Sequence, residues 1–554
     1  MARRRRRRTR SLGYSPRAGS LFLSQPKHAR RRQRRGPSLT ALLVGLVVLG
    51  GLAAGAYALV QQRLDRDDRR AAVERFVAAW ERGDHAAMYE LLDRRSRAAN
   101  PRISFLADYR RANRAAGVEK IRIGRFGPLT DGTVKVGVSI ATDDFGTLRG
   151  TIAFRTSEED GEGRVAWTRD MRLPGLRPGE DVHRRSGKQP KRGEIFAAGG
   201  QPLNSDPTGA SIAGEPGPKP TGLERIYDER LGGRPNSTLR FGDRVIARVP
   251  GRKGRDVHTT IQLGLQRTAK SALGDRLGGV AVIRPRDGAV LALAGLAVSA
   301  PQPPGSSFKI VTLAAALQAG VVDPSDSFPV QTAAVLSGVR LRNAGDEACG
   351  GSLATSFAHS CNSVFGPIGA KLGAKRLVAA AERFGFNQQP DIPAAKPSTI
   401  PKASELEDDL AVGASAIGQD KDLATPLGMA SVGATIANRG VRVKPHVAGT
   451  KRVRKRVVSA KVAAQVRDMM VGVVRGGTGT AAAIPGVTVA GKTGTAELVP
   501  TADAARDPRN TTAWFVAFAP AEDPRVAVAV MLPGAGQGGE SAAPLARQVL
   551  LAAL

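Results

Sequence analysis

The sequence predicts a multidomain chain: a single transmembrane helix, a small α+β domain, an extended linker, and a large mixed α/β domain running to the C-terminus. Three observations predict this. Leu39 to Val60 contains no charged residue. Residues 66–181 change from helical to alternating hydrophobic periodicity. From Asp256 onward, long Ala-rich helical runs alternate with short β-branched segments.

The membrane segment rests on its length and its flanks. A bilayer core needs about 20 apolar residues as a helix. Residues 1–38, which precede the segment, hold fourteen cations, among them Arg3 to Arg8 and Arg30 to Arg32, and no acid. The positive-inside rule then puts this basic tail in the cytoplasm, residues 39–60 in the bilayer, and the rest outside the cytoplasm. A cleaved signal peptide is the alternative, with Ala54-Gly55-Ala56 as a small-residue cleavage site. Its apolar region would run only about 7–15 residues.

Charge and composition bound the function. The chain of 554 residues has 83 Lys and Arg against 49 Asp and Glu, a net charge of +34. With fourteen cations in the tail, anionic lipid is the expected partner there, rather than nucleic acid. The remaining +20 faces the envelope. Hydrophobic content of 42% excludes wholesale disorder. Six His, two Cys, no C-x-x-C and no H-E-x-x-H leave no expected metal site and no expected cofactor.

Within residues 66–181, Val73, Phe76, Val77 and Trp80, then Met88, Leu91 and Leu92, recur at helical spacing, with a break at Gly83-Asp84. Val134 to Ile140 and Arg149 to Phe154 alternate as strands do. No catalytic cluster is evident there. Residues 183–255 form the linker module, rich in Gly, Pro, Lys and Arg and read as extended up to about residue 222. In the last domain, residues 256–554, Gly279 to Ile283, Val487 to Ala490 and Val526 to Met531 are expected strands.

Three short motifs in that domain carry chemistry. Ser306-Ser307-Phe308-Lys309 precedes an apolar run fit for a buried helix. Residues three apart share one helical face, so the Ser306 hydroxyl and the Lys309 amine can meet. A Ser hydroxyl is a weak nucleophile and needs a base, which a Lys of lowered pKa supplies. Ser360-Cys361-Asn362 and Lys492-Thr493-Gly494-Thr495 follow in order. S-x-x-K, S-x-N and K-T-G together mark penicillin-binding proteins and class A β-lactamases. Gly486 to Thr493 also fits G-x-x-x-x-G-K-T, but a phosphate-binding loop needs a helix to begin where Gly494-Thr495 stands.

On these residues the chain resembles a class B penicillin-binding protein, a membrane-anchored peptidoglycan transpeptidase. Gly222-Leu223-Glu224-Arg225-Ile226-Tyr227 is similar to the family's G-L-E-x-x-Y. Thr260-Ile261-Gln262 to Gln266 is similar to its T-I-D-x-x-L-Q, with Gln262 in place of Asp. Gly418-Gln419, Thr425-Pro426-Leu427, Ala437-Asn438 and Ala513-Trp514-Phe515 extend the match, which covers about residues 186–554. Arg192-Gly193-Glu194-Ile195 keeps R-G-x-I, but the family's Asp-Arg pair is replaced by Ala197-Ala198, and the link from Gly295 to Ser306 is short. Residues 66–181 resemble the NTF2-like domain of some low-affinity penicillin-binding proteins, and 183–255 their dimerisation module.

The resemblance implies a serine D,D-transpeptidase with a β-lactamase-like fold. Ser306 would be the nucleophile, Lys309 its base, and Ser360 with Lys492 the proton relay to the leaving D-Ala. Asn362, Thr493, Gly494 and Thr495 would bind substrate, and the backbone N–H groups of Ser306 and Thr495 would form the oxyanion hole. Partners would be peptidoglycan stem peptides, β-lactams and a peptidoglycan glycosyltransferase. The alternatives are a β-lactam sensor and an anchored serine β-lactamase. For the latter, Glu407-Asp408-Asp409-Leu410-Ala411 comes near E-x-x-L-N but lacks the Asn, and reads as a solvated acidic loop. His359 reads as structural. An oxidising compartment favours a Cys349–Cys361 disulfide over two buried thiols.

Overall fold

The computed structural model describes residues 39–449, 452–498 and 507–554, with side chains from residue 51 onward (Pro508 excepted). The basic tail lies outside the described residues. The chain divides into two compact units: Met1–His183 with Phe241–Arg244, and Arg184–Arg240 with Val245–Leu554.

The first unit opens with helix α1 (Leu39–Glu81), whose early part carries the expected membrane segment. Among the described residues no helix is long and apolar enough to cross a membrane, and residues 39–50 are described as backbone alone. Further along α1, Val73, Phe76 and Trp80 are fully buried. The helix stops where Gly83-Asp84 was expected to break it, and Asp84 caps α2 (His85–Glu90) by accepting from Ala87 N at 3.0 Å. Helices α3 (Arg94–Ala99) and α4 (Arg102–Ala116) follow. Strands β1 (Val118–Thr130), β2 (Thr133–Thr142), β3 (Thr147–Glu159) and β4 (Glu162–Ala166) then form an antiparallel sheet in sequential order. The expected strands lie within β2 and β3. The alternation expected of a strand is absent from β1 because its register against β2 shifts three times, and each irregularity resets which side chain faces the core.

The second unit is layered helix–sheet–helix. Its sheet comprises β5 (Gly279–Arg284), β6 (Ala289–Gly295), β7 (Ala490–Glu497), β8 (Thr511–Ala519) and β9 (Val526–Pro533). The order is β6-β5-β9-β8-β7 and every ladder is antiparallel. Side chains alternate between two cores, as a strand period of two requires. Val526, Val528, Val530 and Leu532 face one, with helices α5 (Leu263–Leu273) and α12 (Gly538–Ala553). Ala527, Ala529 and Met531 face the other, with α6 (Lys309–Gln318) and the later α10 (Pro426–Ala437). Burial on both faces explains why β8 and β9 read as continuous apolar runs.

One expected strand is corrected. Val487 to Ala490 is not a strand: Gly486 takes φ +74° and a bridge joins Ile484 to Val487, so the chain turns here and the strand begins at Ala490. The K-T-G residues therefore lie within β7 itself, and the chain after Gly494 stays extended to Glu497 instead of starting a helix.

Sheet edges are managed by side chains. On β6, the amide of Gln266 donates to Leu293 O and accepts from Leu293 N, both at 2.7 Å, and so occupies the backbone groups of an edge strand. The structure places a short helix at Pro207–Ala213, inside the segment expected to be irregular, and another at Gly222–Ile226, where that segment ends. Arg192 of the R-G-x-I motif pairs with Glu224 of G-L-E and with Asp228 at 2.8 Å, which gives both motifs a structural role.

Candidate active site

The three motifs converge on edge strand β7. Gly305–Phe308 forms a 3₁₀ turn that runs directly into α6. Two glycines let this turn lie on β7. A Cβ at Gly494 would stand 2.6 Å from Pro304 O, and one at Gly305 would stand 2.5 Å from Thr495 O. Gly305 also has φ +52°, a conformation that favours glycine. The back of the turn is tied down by Gly305 N to Gly418 O (2.8 Å) and by Trp514 Nε1 to Pro303 O (2.8 Å). These contacts account for the G-Q and A-W-F motifs.

The turn separates its two serines. Ser307 is fully buried and its hydroxyl donates to Pro304 O at 2.7 Å. Ser306 is half-buried. Lys309 and Lys492 are both fully buried.

A hydrogen-bonded network joins the two lysines through the S-x-N loop. Lys309 Nζ donates to Ser360 O (2.7 Å), Asn362 Oδ1 (2.7 Å) and Ser360 Oγ (3.3 Å). Lys492 Nζ donates to Ser360 Oγ at 2.9 Å and to Thr493 O at 3.2 Å. The Ser360 hydroxyl thus lies between both amines. Phe365 and Phe357 present ring faces 5.6 Å from Lys309 Nζ and Lys492 Nζ. Among the described residues neither amine has a carboxylate partner.

Burial without a counter-charge penalises the ammonium forms. Burial, and then the charge of Lys492, hold Lys309 well below the ordinary lysine range. Burial alone brings Lys492 down to about 7. Lys492 therefore exchanges protons near neutral pH, and Lys309 gives up its proton far more readily than an exposed lysine, as acid–base chemistry on a serine requires.

The S-x-N loop is held from several sides. Ser360 has φ +63°, a strained backbone for a non-glycine residue. Asn362 Nδ2 donates to Arg342 O at 2.9 Å. Cys361 precedes α8 (Asn362–Leu372) and is disulfide-bonded to Cys349, with Cα atoms 5.4 Å apart. His359 is exposed and ends helix α7 (Leu353–Ala358). Asp408 accepts from Ala411 N at 2.8 Å and so caps α9 (Asp409–Ala416); the expected acidic loop is a helix start.

Two further residues join the site: Thr478, which the sequence reading did not single out, and Gln419 of the G-Q motif, to which it gave no role there. Thr478, just after α11 (Ala460–Gly476), bonds Thr493 Oγ1 with its hydroxyl at 2.5 Å and Ala358 O with its N–H at 3.1 Å. It bridges the K-T-G strand to the helix that delivers Ser360. Gln419 Nε2 donates to Thr495 O at 3.5 Å. The sequence signal was the run Gly476-Gly477-Thr478-Gly479: small residues permit close backbone approach, and a Cβ at Gly477 would collide with Ala358 O.

Residues 278–551 match the penicillin binding protein transpeptidase domain. The peptidoglycan D,D-transpeptidase PbpA of Mycolicibacterium smegmatis is 35% identical over 409 residues, which cover 60% of this chain and 79% of that protein. The D,D-transpeptidase domain of a peptidoglycan glycosyltransferase from Eggerthella lenta superposes with a TM-score of 0.57 at 31% identity, covering 66% of this chain and 99% of that one. The penicillin G acyl-enzyme complex of penicillin-binding protein A from M. tuberculosis gives 0.56 at 29% identity, over 66% and 99%.

Proposed function

The chain belongs to the class B penicillin-binding proteins, and we propose that it is a serine D,D-transpeptidase that cross-links peptidoglycan stem peptides and is acylated by β-lactams. The observation that supports the assignment of residues is the Lys309–Ser360–Lys492 network, in which two buried amines share one hydroxyl, with Lys309 on the same turn-and-helix segment as Ser306.

The chemistry follows from that placement. Ser306 Oγ attacks the carbonyl of the penultimate D-Ala of a stem peptide, and neutral Lys309 takes its proton. The N–H groups of Ser306 and Thr495 receive the negative charge on the tetrahedral oxygen. Ser360, in contact with both lysines, passes a proton to the departing D-Ala nitrogen. Asn362 binds the substrate amide, and protonated Lys492 with Thr493 and Thr495 binds the terminal carboxylate. An amine of a second stem peptide then displaces Ser306 from the acyl carbon; water in its place gives D,D-carboxypeptidase activity. A β-lactam acylates Ser306 by the same first step. The Cys349–Cys361 bond holds the loop that carries Ser360 and Asn362.

Outside this domain, residues 39–60 anchor the chain, with the tail cytoplasmic on anionic lipid and the catalytic unit outside. The uncharged stretch and the exposure of Leu52, Tyr57, Leu59 and Val60 on α1 support this. The helices and antiparallel sheet of the first unit suit an NTF2-like domain, residues 183–255 a dimerisation module, and a peptidoglycan glycosyltransferase the supply of uncross-linked strands.

The test is product analysis with a synthetic stem peptide ending in D-Ala-D-Ala, with and without an acceptor amine. A transamidated product that grows with amine concentration is expected. Release of D-Ala without transamidation, or rapid turnover of penicillin, overturns the transpeptidase assignment in favour of a carboxypeptidase or a β-lactamase.

A further inference from the structure

Between α9 and α10 the chain runs as a loop from Ile417 to Thr425, and this loop grips the segment that carries Ser306. Gln302 N donates to Ala424 O at 3.0 Å, and Ala424 N donates back to Gln302 O at 2.8 Å. Next to the nucleophile, Gly305 N donates to Gly418 O at 2.8 Å. The two backbones touch there, because a Cβ at Gly418 would collide with Gly305 O. At the end of α9, Ala416 O accepts from the hydroxyl of Thr312, on the helix that carries Lys309, at 2.6 Å.

One buried side-chain pair closes this loop. The Ser415 hydroxyl, in the last turn of α9, lies 2.9 Å from Asp422 Oδ1 and 3.0 Å from Oδ2. Ser415 is 1% exposed and Asp422 is fully buried. Among the described residues no cation pairs with Asp422. Burial raises its carboxyl well above the usual carboxylate range, against the opposing pull of the Ser415 hydroxyl. Burying such a group is costly unless it is hydrogen-bonded, and no step of acyl transfer uses it.

We infer that Asp422, through Ser415, is a positioning residue for Ser306: the pair fixes the loop, and the loop fixes the nucleophile turn. The inference rests on the reading of Ser306 as nucleophile. A reacting group misplaced by about 1 Å loses about 10²-fold in rate. The side chains of Lys492 and Thr493, by contrast, hydrogen-bond no residue of the loop among the described residues. Loosening the loop therefore slows the attack and spares the binding of the substrate carboxylate.

Stopped-flow acylation by a chromogenic β-lactam tests this, because its concentration dependence separates the dissociation constant of the noncovalent complex from the acylation rate constant. Each variant is measured at a temperature where its melting curve shows it folded. Asp422→Ala should acylate at least about tenfold more slowly, with a dissociation constant within about twofold of the parent's. Asp422→Asn keeps an acceptor for the Ser415 hydroxyl and should stay within about threefold of the parent in both constants. If Asp422→Ala does not fold, Ser415→Ala serves in its place, with the same split and a severalfold loss. Unchanged acylation in whichever of these folds, a loss matched by weaker noncovalent binding, or an Asn variant as slow as the Ala variant overturns the inference alone. A parent that the β-lactam does not acylate sinks the nucleophile reading, and the inference with it.

Discussion

The two units treat buried charge in opposite ways. In the first, Arg172 is 1% exposed and is paired with Asp181 at 2.7 Å. Buried Asp108 is paired with Arg111 at 3.0 Å and with Arg169 at 2.9 Å. In the second, Lys309 and Lys492 are equally buried, yet their acceptors are a serine, an asparagine and backbone carbonyls. Paired charges keep their ordinary protonation and hold elements together. The unpaired lysines give up their charge more readily, Lys492 at about 7, which suits proton transfer. Burial alone does not mark the active site; two buried amines that share one serine hydroxyl do.

Replacing Lys309 by Gln should have the largest effect short of removing the nucleophile. Loss of the general base should cut the rate of acylation by a fluorescent penicillin about 10²–10⁴-fold. A variant within tenfold of the parent would break the contrast between the units.

The pH profile sharpens the same contrast. In the free enzyme, acylation kcat/KM should fall as pH drops and Lys309 takes up a proton, because the protonated amine cannot accept from Ser306. It should fall again as pH rises through about 7, where Lys492 loses the charge that binds the substrate carboxylate. A profile flat from pH 5 to 9 would contradict both shifts.

Thr478→Val should lower acylation about tenfold, the value of about one hydrogen bond, with a melting temperature close to that of the parent. Glycine 494 is a packing case: Gly494→Ala should cost about 1–3 kcal/mol through overpacking against Pro304 O, seen as a melting transition several degrees lower. Asp181→Asn should show the smallest effect on chemistry. It breaks a paired charge in the first unit, so it should destabilise that unit in thermal unfolding and leave the acylation rate unchanged.

Much of the site was legible because it is local. Ser306 and Lys309 lie within one turn, Ser360 and Asn362 flank one residue, and Lys492 to Thr495 are consecutive, so each motif survives as a short string. The bridge from Thr478 to Thr493 and Ala358 spans distant segments; the run Gly476-Gly477-Thr478-Gly479 signals close packing but not its partners. The glycines at 305 and 494 are visible as letters, but their reason is a contact between a turn and a strand far apart in sequence. In the fold, β2, β3, β5 and β9 follow their alternation or apolar runs. Bulges hid β1, and the turn at Gly486 shifted the start of β7.

Intact-protein mass measurement after treatment with penicillin G, followed by peptide mapping, tests the central claim most directly. The account predicts one covalent penicilloyl group per chain, on Ser306, absent from Ser306→Ala and formed at least about 10²-fold more slowly in Lys309→Gln. An adduct that maps to another residue, or that persists in Ser306→Ala, would contradict it.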